Sequence, residues 1–303
     1  MKKLCTLQTI WAMTLLLMCS FSIVQCMQKT RRALKQIDEK TRKKNEQNLV
    51  RAAHDGNITK VNQLVMGENT DVNATAFKTT PLAQAAQEGH LAIVHYLIAQ
   101  KGQVNHARPD GATPVLLASE KGQNDVVTFL LEKNANPNQS DLKFATPLHQ
   151  ACDEHHVATN LLLQARANPN QSDATGATPV IFASQAGKLS IVSLLLGAKA
   201  LTDSQTHDKY GFTALTQASK FGHNCVVQLL LEVNAQVNKP RRRHTKTALH
   251  LATKKNHVTV VNTLLHHGAD KNLLDSTSKK AIDYAKTDDM KKIFTDDEIK
   301  REA

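Results

Sequence analysis

Apolar residues recur along the chain in short stripes that are separated by polar turns. The segments 93–98 (IVHYLI) and 126–131 (VVTFLL) both place apolar side chains at positions i, i+1, i+4 and i+5. This spacing puts those side chains on one face of an α-helix, so Leu131 is expected to be buried. A segment of smaller apolar residues precedes each stripe, as in 82–86 (LAQAA). The pattern therefore predicts pairs of short amphipathic helices.

The predicted helix pairs repeat at nearly constant intervals. Successive pairs start 32 to 35 residues apart, at Thr80, Thr113, Thr146, Thr178, Thr213, Thr247 and Lys280. A Thr hydroxyl can cap the first helix, and the Pro that follows four of these residues is favoured at the first helical position. Counting 33 residues back from Thr80 reaches Gln47, which opens a degenerate unit. The chain therefore contains about eight units, of which the first and last are degenerate caps.

Two kinds of turn residue recur within the units. A Gly lies nine residues after the start of most units and suits a left-handed helix end (Gly56, Gly89, Gly122, Gly187 and Gly222). In the fourth unit His155 replaces this Gly and a residue is missing from the second helix, so we expect strain that a His155→Gly substitution would relieve. An Asn or Asp follows the second helix and is expected to bond its own turn backbone (Asn73, Asn105, Asn138, Asn170, Asp203, Asn238 and Asn272).

These features resemble the ankyrin-repeat family, which has a 33-residue period and a T-P-L-H-x-A signature. Residues 146–151 (TPLHQA) match the signature in full, and residues 247–252 (TALHLA) lack only the Pro. The resemblance implies an all-α solenoid of helix pairs joined by hairpin loops over residues 47–290. It also implies a non-catalytic module for protein–protein interaction. Residues 291–303 are interpreted as a charged C-terminal tail.

The N-terminal segment 1–26 is interpreted as a signal peptide or a membrane anchor. Residues 4–27 contain no charged side chain, and Lys2 and Lys3 precede them. A cleaved leader implies export or secretion. An uncleaved one implies an anchor with the repeats in the cytoplasm, because more bases follow the apolar run than precede it. Membrane contact is expected only through this segment. Residues 27–46 are interpreted as a charged linker or helix, since they contain few apolar residues.

Positive charge is concentrated in two segments rather than spread along the chain. The formal net charge is +11, and residues 1–48 contain ten Lys and Arg against three Asp and Glu. Residues 239–257 contain seven Lys and Arg and no acidic residue. This distribution argues against a uniformly basic nucleic-acid-binding protein. The alternative is a delivered effector whose basic finger, 239–246, contacts nucleic acid or directs nuclear import.

One cluster of residue types resembles a set of metal ligands. His149, Cys152, His155 and His156 lie close together in sequence, as zinc ligands do. We interpret them instead as scaffold residues, because His149 is the signature His and Cys152 occupies a small-residue packing position. The sequence also lacks a Gly-rich phosphate loop and the H-E-x-x-H and G-x-S-x-G motifs. No metal, cofactor or catalytic residue is therefore expected.

The resemblance assigns partner binding to the hairpin tips and to the exposed ends of the first helices. In the early units these positions include Phe77, Thr79, Ala112, Leu142 and Ala177, and the face there is slightly acidic or uncharged. In the sixth and seventh units they are aromatic and basic: Lys209, Tyr210, Phe212, Lys220, Phe221, Arg241, Arg242, Arg243, His244, Lys246, Lys254 and Lys255. Aromatic residues and Arg are enriched in interface anchors. We therefore expect a protein partner with an acidic surface; the competing interpretation is an ordinary solvated face.

Overall fold

A computed structural model describes residues 2–67, 70–206, 211–241 and 245–295 of the protein. For residues 2–24, Cys26 and Ala33 it describes the helical backbone without the side chains. The helices are α1 (Lys2–His54), α2 (Ile58–Met66), α3 (Pro81–Glu88), α4 (Leu91–Ala99), α5 (Pro114–Glu120), α6 (Asn124–Glu132), α7 (Pro147–Ala151), α8 (His156–Gln164), α9 (Pro179–Ala186), α10 (Leu189–Gly197), α11 (Ala214–Phe221), α12 (Asn224–Glu232), α13 (Ala248–Lys254), α14 (Val258–His266), a 3₁₀ helix (Ala281–Tyr284) and α15 (Asp288–Thr295).

The helices form a solenoid in which each pair packs against the next, so the predicted all-α fold is confirmed. Each first helix from α3 to α13 is preceded by a Thr, and in four units the Thr hydroxyl accepts a hydrogen bond from a backbone N–H three residues later (Thr80, Thr113, Thr146 and Thr213). These bonds satisfy N–H groups that have no partner within the helix. The caps therefore fix where each unit starts.

The core is a continuous layer between neighbouring units. Leu97, Leu130, Leu162, Leu195 and Leu230 are fully buried in five successive second helices. Most of the apolar stripe is thus confirmed as the buried face. The expectation for Leu131 was wrong, because its side chain only partly packs against this core whereas Leu130 is fully enclosed.

The turn glycines adopt the left-handed conformation as predicted, and they also leave space for a side chain of the next unit. Gly122 has φ +65°, and a Cβ built on it would overlap the ring of His155. That ring contributes its Nε2 to a 2.9 Å hydrogen bond with the carbonyl oxygen of Glu120. Equivalent links run from His90, Gln123, His223 and His257 to carbonyls of the preceding unit.

The prediction for the fourth unit was wrong in two respects. His155 has φ −106° and precedes α8, so it does not occupy a left-handed position. The second helix is complete, since α8 has nine residues like α6 and α10. The missing residue belongs to the turn before it, because α7 contains only five residues and Cys152 follows in a right-handed conformation. His155 is therefore equivalent to Gln123, and the turn Gly itself is absent.

The turn Asn residues link neighbouring units rather than their own turns. Asn138 donates from Nδ2 to the carbonyl of Arg166 and accepts from the backbone N–H of Asn168. The same pair of bonds is made by Asn73, Asn105, Asn170 and Asn238. The left-handed residue at these helix ends is a different one, as at Asn134, φ +64°. The expectation of a local bond was therefore wrong.

The two ends of the solenoid differ from the boundaries drawn on the sequence. α1 runs without a break from Lys2 to His54, across both 26/27 and 46/47. At the other end, α15 begins before residue 291, and its Met290 and Phe294 are buried. The repeat core therefore extends into the segment interpreted as a tail.

The sequence interpretation of residues 1–26 depends on side chains that mostly lie outside the described part of the chain. Over the residues that are described, no helix combines the length and the apolar character needed to span a membrane.

Candidate functional site

The candidate site occupies one side of units six to eight. We define the basic–aromatic face as Phe212, Lys220, Phe221, Arg241, Lys246, Lys254, Lys255 and Tyr284. Lys220 and Phe221 end α11, and Lys254 ends α13, so both helices present their C-terminal residues to this side. Cations near a helix C-terminus interact favourably with the helix dipole. Lys209, Tyr210, Arg242, Arg243 and His244, which the sequence also indicated, lie outside the described residues.

Two cationic side chains lie over the ring of Phe212. The guanidinium carbon of Arg241 is 4.0 Å from the centroid of its ring, and the ammonium of Lys220 is 5.0 Å from it. Both distances are within the range of a cation–π interaction. Arg241 is only 6% exposed, and its backbone N–H donates to the backbone carbonyl oxygen of Lys246. Arg241 therefore links unit six to the hairpin of unit seven.

Phe221 is the most exposed aromatic side chain of this face. Its side chain is 44% exposed, and the ammonium of Lys220 lies 4.7 Å from its ring centroid. His223 stacks beside it, with 6.3 Å between the ring centroids. An aromatic ring held by neighbours and open to solvent has the character of an interface anchor.

Tyr284 is the centre of a second group of contacts, in which Asp275 is the buried anion. The Tyr284 hydroxyl donates to Asp275 Oδ2 at 2.6 Å and accepts from Lys246 Nζ at 2.8 Å. Lys246 Nζ is also 3.4 Å from Asp275 Oδ2. Burial alone would raise the pKa of Asp275, but the hydrogen bonds from Tyr284 and Thr277 outweigh burial and hold this pKa well below its usual range.

The residues that resembled metal ligands are held in separate contacts. His149 Nδ1 is 2.8 Å from the Thr146 hydroxyl and Nε2 is 3.0 Å from the Ala177 carbonyl. Burial lowers the pKa of His149 and raises that of the buried Cys152 thiol. His155 bonds to the preceding unit as described above. Within the described chain, no group of three or more His, Cys, Asp and Glu is placed to hold a metal ion.

Part of the face expected on the earlier units is not available to a partner. Thr79, Ala112 and Ala177 are buried, so this expectation was wrong for these positions. The residue just before the capping Thr packs inward in these units. Phe77 and Leu142, which were also expected on this face, are exposed, and so is Phe144, which was not expected there.

Sequence reasoning missed two aromatic residues on the inner side. Phe182 is 37% exposed and lines a pocket of about 500 Å³ together with Glu120, Asp153 and Glu154. Tyr284 occupies the same position in its unit, four residues after the capping position. That shared register was visible in the sequence. Three other units have Gln there (Gln84, Gln150 and Gln217), which makes the two aromatic residues stand out.

Comparison with family models and with solved structures agrees with the repeat of helix pairs described above. A family model described as ankyrin repeats in three copies matches residues 49–141, 139–204 and 198–275. The chain is similar in structure to the human ASB11 ankyrin repeat domain, with a TM-score of 0.65, 27% identity, and coverage of 72% of this chain and 97% of that one. It is also similar to the ankyrin repeat domain of Bcl-3, a member of the IkappaB family, with a TM-score of 0.64, 26% identity, and coverage of 72% and 99%. No curated protein sequence matches the chain.

Proposed function

This chain belongs to the ankyrin-repeat family, and from that premise we propose that its basic–aromatic face binds an acidic surface of a partner protein. Ankyrin repeats generally mediate protein–protein interactions and are typically non-catalytic. The proposal adds to this general function a particular face and a chemical class of partner. It also assigns the chain no reaction of its own.

The observation that carries the proposal is the exposed Phe221 ring beside a group of cationic side chains. Lys254 and Lys255 are exposed at the end of the neighbouring first helix, and Lys220 lies against the Phe221 ring. An aromatic anchor surrounded by charge suits an interface, because the anchor slows dissociation while the charges speed up association. Arg241 and Lys246 contribute less to such a contact, since both are held in contacts within the protein.

Site-specific photo-crosslinking tests the face directly. A photoreactive phenylalanine analogue replaces Phe221 in the full chain, and the control places it at Val233, which is 41% exposed at the end of α12 in the same unit. We expect crosslinks to one protein from position 221 and not from position 233. Equal crosslinking from both positions would reject this face.

Kinetics with the recovered partner test the two roles separately. Phe221→Ala should mainly raise the dissociation rate, whereas Lys254→Glu with Lys255→Glu should mainly slow association. The association rate should also fall as salt shortens the Debye length from about 10 Å at 0.1 M to about 3 Å at 1 M. An unchanged association rate for the double variant at low salt would contradict the electrostatic part of the proposal. Reversal of Arg241 is not a suitable test, because this residue is buried.

The alternative, a nucleic-acid contact through 239–246, receives less support. Lys239 Nζ donates to the carbonyl of Asp203, and Arg241 is stacked on Phe212. Lys246 is held by Tyr284 and Asp275, so three of the bases in the finger are used within the protein. Competition by a generic DNA duplex for the crosslinking site, with a steep dependence on salt, would favour the alternative.

We also propose that residues 1–26 direct the protein to export. The uncharged run that follows Lys2 and Lys3 supports this assignment. Intact-mass measurement of the native protein should show a chain that starts between Ser20 and Gln28. A full-length mass in the membrane fraction would instead support the anchor, with the repeats on the cytoplasmic side.

A further inference from the structure

Three lysine side chains from separate segments converge on the ring of Tyr284. The ammonium groups of Lys246, Lys254 and Lys279 lie 4.1, 5.8 and 5.7 Å from the ring centroid. Lys246 comes from the hairpin of unit seven, Lys254 from the end of α13, and Lys279 from the hairpin of unit eight. The ring's attraction for cations, the surrounding water and one buried carboxylate offset the repulsion among these three like charges.

Asp275 compensates one of these three charges. Its side chain is fully buried and lies 3.4 Å from Lys246 Nζ. For Lys254 and Lys279, both exposed, no carboxylate lies within 4.0 Å among the described residues. Burial lowers the pKa of the neighbouring His250, which favours its neutral form, so this ring supplies no counter-charge; its Nε2 contacts the Lys279 carbonyl oxygen. Two positive charges near one ring are therefore left uncompensated.

The two uncompensated ammonium groups lie around one ring, 5.8 and 5.7 Å from its centroid. Because both lysine stems are flexible, rotation about their side-chain bonds can bring the two groups onto one ligand. The Tyr284 hydroxyl cannot contribute a further donor, since it already donates to Asp275. The ligand must therefore be recognised through charge, and a group with two negative charges matches the two lysines better than a single carboxylate does.

We propose that Lys254 and Lys279 bind a phosphate monoester carried on a side chain of a partner protein. A phosphorylated Ser, Thr or Tyr has a charge of about −1.5 to −2 at pH 7 and three strong acceptor oxygens. Lys binds phosphate as a point charge, which suits two flexible donors on either side of the group. The inference rests on the proposed function for the identity of the partner as a protein, and the site itself can be tested with the chain alone.

The test uses calorimetric titration of the full chain with three short peptides. The peptides have one neutral sequence and differ only in a central phosphoserine, Glu or Ser. We expect the phosphoserine peptide to bind about ten-fold more tightly than the Glu peptide, with weaker binding still for the Ser peptide. Equal affinity for the phosphoserine and Glu peptides would overturn the proposal in favour of a carboxylate site.

Charge-removing variants locate the binding. Lys254→Met and Lys279→Met should each weaken phosphoserine binding about ten-fold, because each removes one charge-assisted contact. Lys286→Met is the matched control, since Lys286 is an exposed lysine of the eighth unit that lies outside the basic–aromatic face and makes no ring contact within the described residues. It should weaken binding less than about two-fold. A loss as large in the control as in the two variants would show that only general positive charge is sensed.

The outcomes separate this inference from the proposed function. If the crosslinked partner requires Phe221 but binds equally well after phosphatase treatment and to Lys279→Met, the phosphate site is wrong and the proposed function stands. If the phosphoserine peptide binds in a Lys254- and Lys279-dependent manner while no protein crosslinks at position 221, the site stands and the proposed face is wrong. Competition by a DNA duplex at the same lysines, without discrimination among the peptides, would overturn the phosphate-monoester assignment.

Discussion

The substitution His155→Gly distinguishes the structural account of the fourth unit from the sequence account. The sequence alignment places His155 at a left-handed position and predicts stabilisation by Gly. In the structure His155 has φ −106°, so Gly relieves no backbone strain there. Gly instead removes the ring that bridges to the third unit. The structure therefore predicts destabilisation, which is the opposite sign.

The size of this effect follows from two contacts. Loss of the 2.9 Å hydrogen bond to the Glu120 carbonyl costs about 0.5–1.5 kcal/mol. Gly at a position that needs no positive φ adds a cost of about 0.5–1 kcal/mol in backbone entropy. The free energy of unfolding should therefore fall by about 1–2.5 kcal/mol. The chain offers a control, because Gln123 makes the equivalent bond in the third unit. His155→Gln should retain most of the stability.

Urea unfolding, thermal unfolding and native-state hydrogen exchange measure this effect. In thermal unfolding of a domain of this size, each kcal/mol of lost stability lowers Tm by about 2–4 °C. Because a repeat unit contacts only its neighbours, exchange should accelerate first in units three and four. A His155→Gly protein that is as stable as the parent, or more stable, would refute the reasoning about the interunit bond.

Three further predictions concern the core and the buried ionisable groups. Leu130→Ala should lower the free energy of unfolding by about 2–5 kcal/mol and Leu131→Ala by clearly less; equal losses in urea unfolding would contradict the burial pattern. Asp275→Asn should destabilise the C-terminal unit, and in the parent protein the contribution of this carboxylate should be complete above about pH 4 and lost below it, because its folded-state pKa is lowered. His149 has a lowered folded-state pKa, so the free energy of unfolding should fall as the pH drops below about 6.5. The variant His149→Thr copies Thr216 of unit six, whose hydroxyl accepts a hydrogen bond from the backbone N–H of the capping Thr213, and it should reduce this pH dependence in thermal melts.

Local features of the sequence determined the repeat and the helix pairs. The Thr that caps a helix, the Pro that opens it and the apolar stripe all act within a few residues of each other, so their effect is visible without the fold. For the same reason the left-handed glycines could be predicted. The aromatic and basic composition of units six and seven could also be read from the sequence, together with the exposed position of Phe221.

The tertiary structure decided which side chains of those units remain available to a partner, because that depends on contacts between residues 29 to 38 positions apart. The guanidinium of Arg241 lies over the ring of Phe212, and the ammonium of Lys246 contacts Tyr284 and Asp275. The ring of His155 likewise bonds to a carbonyl 35 residues earlier. A one-dimensional pattern contains the types of these residues but not their partners. The stacking of neighbouring units brings the partners together, and so it separates residues that hold the solenoid from residues that can bind.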